Sequence, residues 1–123
     1  MEKTIMIIDD ERDFQEIYTT MLEGLGYDLI YAYDGDEAMQ MLSDNIPDLI
    51  ILDLIMDMVP GDTFFLYLKS SQELSDIPII IISSLPQKQY NNLKKIDPKL
   101  VYINKAFLTK ERLLEEVDNK LGA

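Results

Sequence analysis

Four stretches of this sequence place a reactive side chain directly after a run of apolar residues. Thr4–Ile8 (T-I-M-I-I) runs into Asp9 and Asp10, and the apolar segment after Pro47 ends abruptly on Asp53. Pro78–Ile82 (P-I-I-I-I) runs into Ser83 and Ser84, and Leu100–Ile103 into Asn104 and Lys105. Short runs that are apolar throughout and rich in Ile read as strands buried on both faces, as parallel strands are. A carboxylate ending such a strand is costly to bury unless it reaches solvent or meets a cation. The carboxyl ends of strands are where ligands bind in open α/β sheets, which makes Asp53 the first candidate functional residue.

If the strands are parallel, each delivers its last residue to one edge, and Asp9, Asp10, Asp53, Ser83 and Lys105 converge. Three carboxylates in one place repel and require a cation. The chain has no Cys and no His, which excludes disulfides, thiolate and imidazole ligands, and imidazole acid–base chemistry. The expected ion is then a hard one, Mg2+ or Mn2+, held by oxygen and shared with a phosphate. Lys105 supplies a mobile point charge for a phosphoryl oxygen, and Ser83 a hydroxyl donor. These residue types support transfer of a phosphoryl group to a carboxylate, with positioning and charge neutralisation supplying most of the catalysis.

The elements that must position these groups follow from periodicity. Asp10 is placed to cap a first helix, with Asp13 in its first turn. Phe14, Ile17, Tyr18, Met21, Leu22 and Leu25 recur at helical spacing until Gly24 and Gly26 stop it. Asp28–Tyr33 reads as a second strand, Asp34-Gly35 as a turn, and Ala38, Met39 and Leu42 as a short helix. Asp62 opens a helix carrying Phe64, Phe65, Leu66 and Leu68. A polar helix from about Pro86 to Ile96 has the sparse stripe Tyr90, Leu93 and Ile96. Thr109 caps a last helix with Leu113, Leu114, Val117 and Leu121 on one face. Five βα units in succession imply an α/β fold, a parallel sheet with helices on both faces. The Met and Phe stripes are expected in the core.

At 123 residues the chain is sized for one domain, 1–123. Its net charge of −12 argues against direct nucleic-acid binding. Residues 1–87 hold 3 basic and 18 acidic side chains, whereas residues 88–123 hold 8 basic and 5 acidic. No apolar run is long enough to span a bilayer and no signal-peptide pattern opens the chain, so a cytoplasmic protein is expected.

Taken together, I-I-D-D-E, D-L-I-M-D-M-V-P-G, S-S after P-I-I-I-I, and Y-I-N-K-A-F resemble the receiver (CheY-like) domain of two-component response regulators. The resemblance covers essentially the whole chain, with four motifs in order at four strand ends. It implies a doubly wound, flavodoxin-like (βα)5 domain with strand order 2-1-3-4-5; a chemotaxis receiver is itself the standard example of that order. It also implies that Asp53 is the phosphoacceptor, served by a sensor histidine kinase, a phosphotransfer protein or a small phosphodonor. Asp10, Asp53 and the backbone carbonyl of Ile55 would hold Mg2+ directly, and Asp9 through water. Lys105 would pair with the phosphoryl oxygens, Ser83 would move to meet them, and Tyr102 would rotate inward. The surface of the fourth helix, last strand and last helix would then signal to a downstream protein or an output domain outside this chain. Apart from the resemblance, the sparse apolar stripe of the fourth helix would permit a dimer on phosphorylation and equally suits a partner surface.

The sequence departs from the family pattern in two places. Ala106 replaces the usual Pro after the Lys, where a cis bond before a non-proline residue would cost roughly 3–4 kcal/mol. Asp57 replaces a usual Pro in the loop after Asp53. Ile55 and Leu85 occupy the two positions that tune loss of the phosphoryl group, and neither offers a hydrogen bond to an attacking water, so the phosphorylated state is expected to be long-lived. Two other readings compete. A Mg2+-dependent aspartyl-phosphate phosphohydrolase would usually carry an acid–base Asp two residues after the nucleophile, where Ile55 stands. A pseudo-receiver, an interaction module without phosphotransfer, would be expected to lack an acidic or Lys position, and all are present. Taken singly, Asp9-Asp10 could be only a helix cap, Lys105 a solvated side chain, Ser83 a strand-end cap and Tyr102 half-buried packing.

Overall fold

A computed structural model describes residues 2–56, 58–84 and 87–122. Met1, Asp57, Leu85, Pro86 and Ala123 lie outside the described residues. Five strands, β1 (Thr4–Ile8), β2 (Asp28–Ala32), β3 (Leu49–Leu52), β4 (Ile79–Ser83) and β5 (Val101–Asn104), form one parallel sheet in the order β2-β1-β3-β4-β5. Between and after them run α1 (Arg12–Leu22), α2 (Gly35–Leu42), α3 (Gly61–Ser70), α4 (Gln87–Ile96) and α5 (Lys110–Leu121). Lys105–Phe107 makes a turn of 3-10 helix. The strand order is the one that the family resemblance implies.

Alternation along the strands splits the core into two layers. Met6, Ile8, Ile50, Leu52, Ile79 and Ile81 face one way, toward Leu42, Phe64, Phe65, Leu68, Tyr90 and Leu93 of α2, α3 and α4. Ile5, Ile7, Leu49, Ile51, Ile80 and Ile82 face the other, toward Tyr18, Leu22, Leu113 and Val117 of α1 and α5. The central strands are covered on both sides, which is why they read as unbroken apolar runs rather than alternating ones. Asp48 fixes the head of β3, since its carboxylate accepts from the Thr4 N–H at 2.8 Å.

Several expectations need correction. Asp10 does not cap α1: Glu11 is the N-cap residue, and the Asp9 carboxylate accepts from the Glu11 N–H at 2.9 Å. The helix stops at Leu22, followed by Gly24 and Gly26 with φ of 77° and 86°, so Leu25 falls beyond it and is exposed along with Ile17. Leu66 also faces solvent, because the core side of α3 is already filled by Phe64, Phe65 and Leu68. In α4, Tyr90 and Leu93 are buried in the core and Ile96 is exposed. Met58, in the loop after β3, and Phe107, at the end of the 3-10 turn, are exposed rather than core. The α5 expectations hold: Thr109 Oγ1 accepts from the Arg112 N–H at 3.1 Å, and Leu113 and Val117 are buried. Among the described residues no helix is long and apolar enough to cross a membrane.

Candidate functional site

The site is built on backbone hydrogen bonds that continue the sheet past its last apolar residues. The Asp9 N–H donates to the Ala32 carbonyl at 3.1 Å and the Asp53 N–H to the Ile8 carbonyl at 3.0 Å. The ends of β1 and β3 therefore project two carboxylates side by side. Asp9 and Asp53 are both buried, although charged groups are rarely buried unless paired.

Their partner is Lys105. Its Nζ lies 2.8 Å from Asp53 Oδ2, 2.7 Å from Glu11 Oε1 and 3.0 Å from Asp9 Oδ2. On a further side the ammonium sits 4.3 Å from the centre of the Phe14 ring, a cation–π contact. Lys105 reaches this position because the chain turns into 3-10 helix directly after β5. That turn is held by Asn104, whose side chain accepts from the Ala106 N–H at 2.9 Å. A proline after the Lys could not make that bond. No described peptide bond is cis, so Lys105–Ala106 is trans.

Each carboxylate has further fixed partners. Asp9 Oδ1 accepts from the Glu11 N–H and Oδ2 from the Tyr18 hydroxyl at 3.1 Å. Gln15 donates to the Asp9 and Ala32 carbonyls at 2.9 and 3.1 Å, tying α1 to the ends of both strands. Asp53 Oδ1 accepts from the Ile55 N–H at 3.0 Å, while the Ile55 side chain points into solvent. Gly61, at the start of α3, passes so close that an added Cβ would lie 2.3 Å from the Asp53 carbonyl oxygen. Only glycine fits there.

Among the described residues, carboxylate oxygens of Asp9, Asp10, Glu11 and Asp53 lie within 4.8 Å of one another and could hold a metal ion. The cluster holds four carboxylates, three of them paired with the one Lys105 ammonium, so it carries an excess of negative charge. The electrostatics reflect this. Burial raises the Asp9 carboxyl above its usual range, and the Asp53 charge adds to that, against the Glu11 N–H and Lys105. Burial would lower the Lys105 ammonium, but hydrogen bonds to Asp53, Glu11 and Asp9 outweigh it and raise it. Burial and the Asp9 charge push the Tyr18 phenol up. Oxygen donors only, in an acidic pit beside one lysine, suit a hard divalent cation and not a soft one.

The remaining candidates lie on neighbouring strand ends. Ser83 is fully buried at the tip of β4, in register with Asn104 of β5. Tyr102 is half-buried, its hydroxyl 3.3 Å from the Ser83 carbonyl oxygen and its ring 5.1 Å from that of Tyr90. Sequence reasoning missed Glu11, Phe14, Gln15, Tyr18 and Gly61. The first four share one face of α1, at i, i+3, i+4 and i+7. The available signal in the sequence is a Gln set next to Phe14 and one helical turn before Tyr18.

Comparison with known proteins identifies the family and the fold. The family model described as the response regulator receiver domain matches residues 5–118. The polar-differentiation response regulator DivK of Brucella ovis is 28% identical over 122 residues, covering 99% of this chain and 98% of that protein. A protein named Probable transcriptional regulator ycf27, from Porphyridium aerugineum, is 36% identical over 84 residues; the match spans 68% of this chain and only 34% of that protein's length. The chemotaxis protein CheY4 of Vibrio cholerae superposes with a TM-score of 0.87 at 21% identity, over 98% of this chain and all of that one, and so shares the fold. The signal receiver domain of a signal transduction histidine kinase from Syntrophus aciditrophicus superposes with a TM-score of 0.86 at 27% identity, over 98% and 90% of the two chains. A match of the family model across nearly the whole sequence, on a sheet of the expected order, places this chain in the response regulator receiver domain family.

Proposed function

We propose that this domain is a phosphorylation-dependent switch in which Asp53 accepts a phosphoryl group. The observation that carries the reading is the buried Asp53 carboxylate, 2.8 Å from the Lys105 ammonium inside a cluster of further carboxylates. In the transfer a carboxylate oxygen of Asp53 bonds to phosphorus as the bond to the donor breaks. That bond is P–N in a phosphohistidine and P–O in a small acyl phosphate, and the leaving group departs with the bonding pair.

Asp10, Asp53 and the Ile55 carbonyl would hold Mg2+ or Mn2+, with Asp9 through water. The ion supplies neutralisation of phosphoryl and carboxylate charge. The chain's own residues do the rest. The Ile55 N–H and Lys105 orient the Asp53 carboxylate, and Lys105 receives a phosphoryl oxygen. Ser83 donates its hydroxyl to the new group, and Tyr102 follows it inward. A phosphoryl group adds roughly −1.5 to −2 charges and several strong acceptors, enough to shift two packings separated by a few kcal/mol. The readout is the α4, β5 and α5 surface, presented to a downstream protein or output domain. Ile55 and Leu85 offer an attacking water no hydrogen bond, so the phosphorylated state is long-lived.

The test is intact mass of the protein and of Asp53→Asn during incubation with Mg2+ and acetyl phosphate. The reading requires a single phosphoryl adduct that depends on Mg2+, is absent from the variant and decays slowly. Bound Mg2+ without any adduct, from acetyl phosphate or from phosphohistidine donors, would instead make the chain a pseudo-receiver.

A further inference from the structure

An ammonium has three N–H donors and no more. In Lys105 two of them donate to Glu11 at 2.7 Å and Asp53 at 2.8 Å, while the Asp9 carboxylate, an ion pair at 3.0 Å, and the Phe14 ring close its remaining sides. To bind a phosphoryl oxygen, Lys105 must give one of these contacts up. The three carboxylates are not equivalent. Asp9 is buried, and its two oxygens are pinned by the Glu11 N–H and the Tyr18 hydroxyl. Asp53 is buried and is itself the reacting group. The Glu11 side chain is 54% exposed, so it can swing into water with little desolvation to reverse.

Resting on the phosphoacceptor reading above, we propose that Glu11 is a displaceable latch. It occupies on Lys105 the place that a phosphoryl oxygen on Asp53 takes over. Held, it occupies one donor of Lys105 and sets one more negative charge in the path of an anionic phosphodonor. Released, it leaves an N–H of Lys105 free at the moment the phosphoryl group arrives. Glu11 is a positioning residue in this scheme, since it acts through Lys105 and not on phosphorus. Its side chain makes no capping bond, while its backbone carbonyl accepts from the Phe14 and Gln15 N–H groups at 3.1 Å each. Exchanging the side chain therefore leaves the start of α1 intact.

The test uses Glu11→Gln and Glu11→Asp in the full chain. With acetyl phosphate at saturating Mg2+, both variants gain adduct about two- to fivefold faster than wild type, as loss of a half-exposed ion pair allows. Glu11→Asp matters because it keeps the charge and loses the reach. If it behaves as wild type while Glu11→Gln does not, the effect is one of field and the latch is wrong. Weaker Mg2+ binding together with slower phosphorylation in Glu11→Gln would make Glu11 a metal ligand and overturn the proposal. A second measurement needs no phosphotransfer: 15N NMR of the Lys105 ammonium, whose protons exchange with water faster in both variants than in wild type. Unchanged exchange defeats the latch even if acetyl phosphate proves to be no donor. Failure of the phosphoacceptor reading shows separately, as an adduct that persists in Asp53→Asn or never forms in wild type.

Discussion

The sheet carries a lysine–carboxylate arrangement at each end, and the two behave oppositely. At the far end Lys69 Nζ lies 2.9 Å from Asp97 Oδ2, donates to the Ser75 carbonyl at 3.0 Å, and sits 5.6 Å from the centre of the Phe65 ring. At the near end Lys105 has its own aromatic ring in Phe14, but faces three carboxylates. Burial tends to raise the Asp97 carboxyl, yet Lys69 and the Lys99 N–H overcome it and hold the group below its usual range. For Asp9 burial and the Asp53 charge win, and the group is held above it. The same residue types thus make a matched pair in one place and a charge excess in the other. A matched pair ties elements together; an excess is a standing demand for something to bind.

The difference can be broken most forcefully at the ammonium. Lys105→Met leaves buried carboxylates facing each other, and removal of one partner from a buried pair costs about 3–5 kcal/mol. Urea unfolding without divalent cation should show a loss near 3 kcal/mol, the low end, because the cluster opens to water at Glu11. Added Mg2+ should restore more stability to this variant than to wild type, since a ligand that binds only the folded state stabilises it.

A smaller effect of opposite sign is expected at Asp9. Its folded pKa lies above the unfolded value, so the folded state holds the proton more tightly. Stability from this group is present below the unfolded pKa and falls as pH rises through the folded one. At neutral pH ionised Asp9 is a net cost, and Asp9→Asn should raise the midpoint of thermal unfolding by about 3 °C, on the order of 1 kcal/mol. The gain should vanish on acidification below about pH 4, where the unperturbed carboxyl is protonated. A drop in midpoint at neutral pH would sink the idea that the site is under charge strain.

Smallest of all is the effect at the far end. Asp97→Asn should lower stability by about 0.2–1 kcal/mol, as for partly exposed pairs generally. Here the folded pKa is depressed, so the contribution is present above the unfolded value and is lost as pH falls through the folded one. Urea midpoints measured from neutral pH downward check it. A loss as large as that of Lys105→Met would erase the distinction between the two ends.

Much of this contrast was legible in the sequence because abrupt polarity is a one-dimensional signal. Asp53 after L-I-I-L and Lys105 after V-Y-I-N stand out on either side of a strand boundary, and parallel strands bring such residues to one edge. Other contributions exist only in space. Tyr18 reads as a core residue on a helical stripe, and it is one, but its hydroxyl also anchors Asp9. Gly61 reads as a turn residue, and nothing along the chain announces that the Asp53 carbonyl passes against it. The cap of α1 was misplaced by one residue because the Asp9 side chain, not that of Asp10, takes the Glu11 N–H. Ile17 and Ile96 keep the helical period and still lie toward solvent, since period fixes a face and not what that face meets.

The unbroken apolar run of β3 has a consequence for the chain before it folds. Leu49–Leu52 and Ile79–Ile82 are short, β-prone and uncharged, the composition that drives unfolded chains to stack into aggregates. In the native sheet both are sealed at the centre, and in the unfolded chain only their flanks protect them. For β4 that guard is Pro78 at one end. For β3 it is a pair of carboxylates, Asp48 and Asp53, so the proposed phosphoacceptor is also a gatekeeper against self-association. Neutralising Asp53 removes half of that protection, whereas a phosphoryl group adds to it.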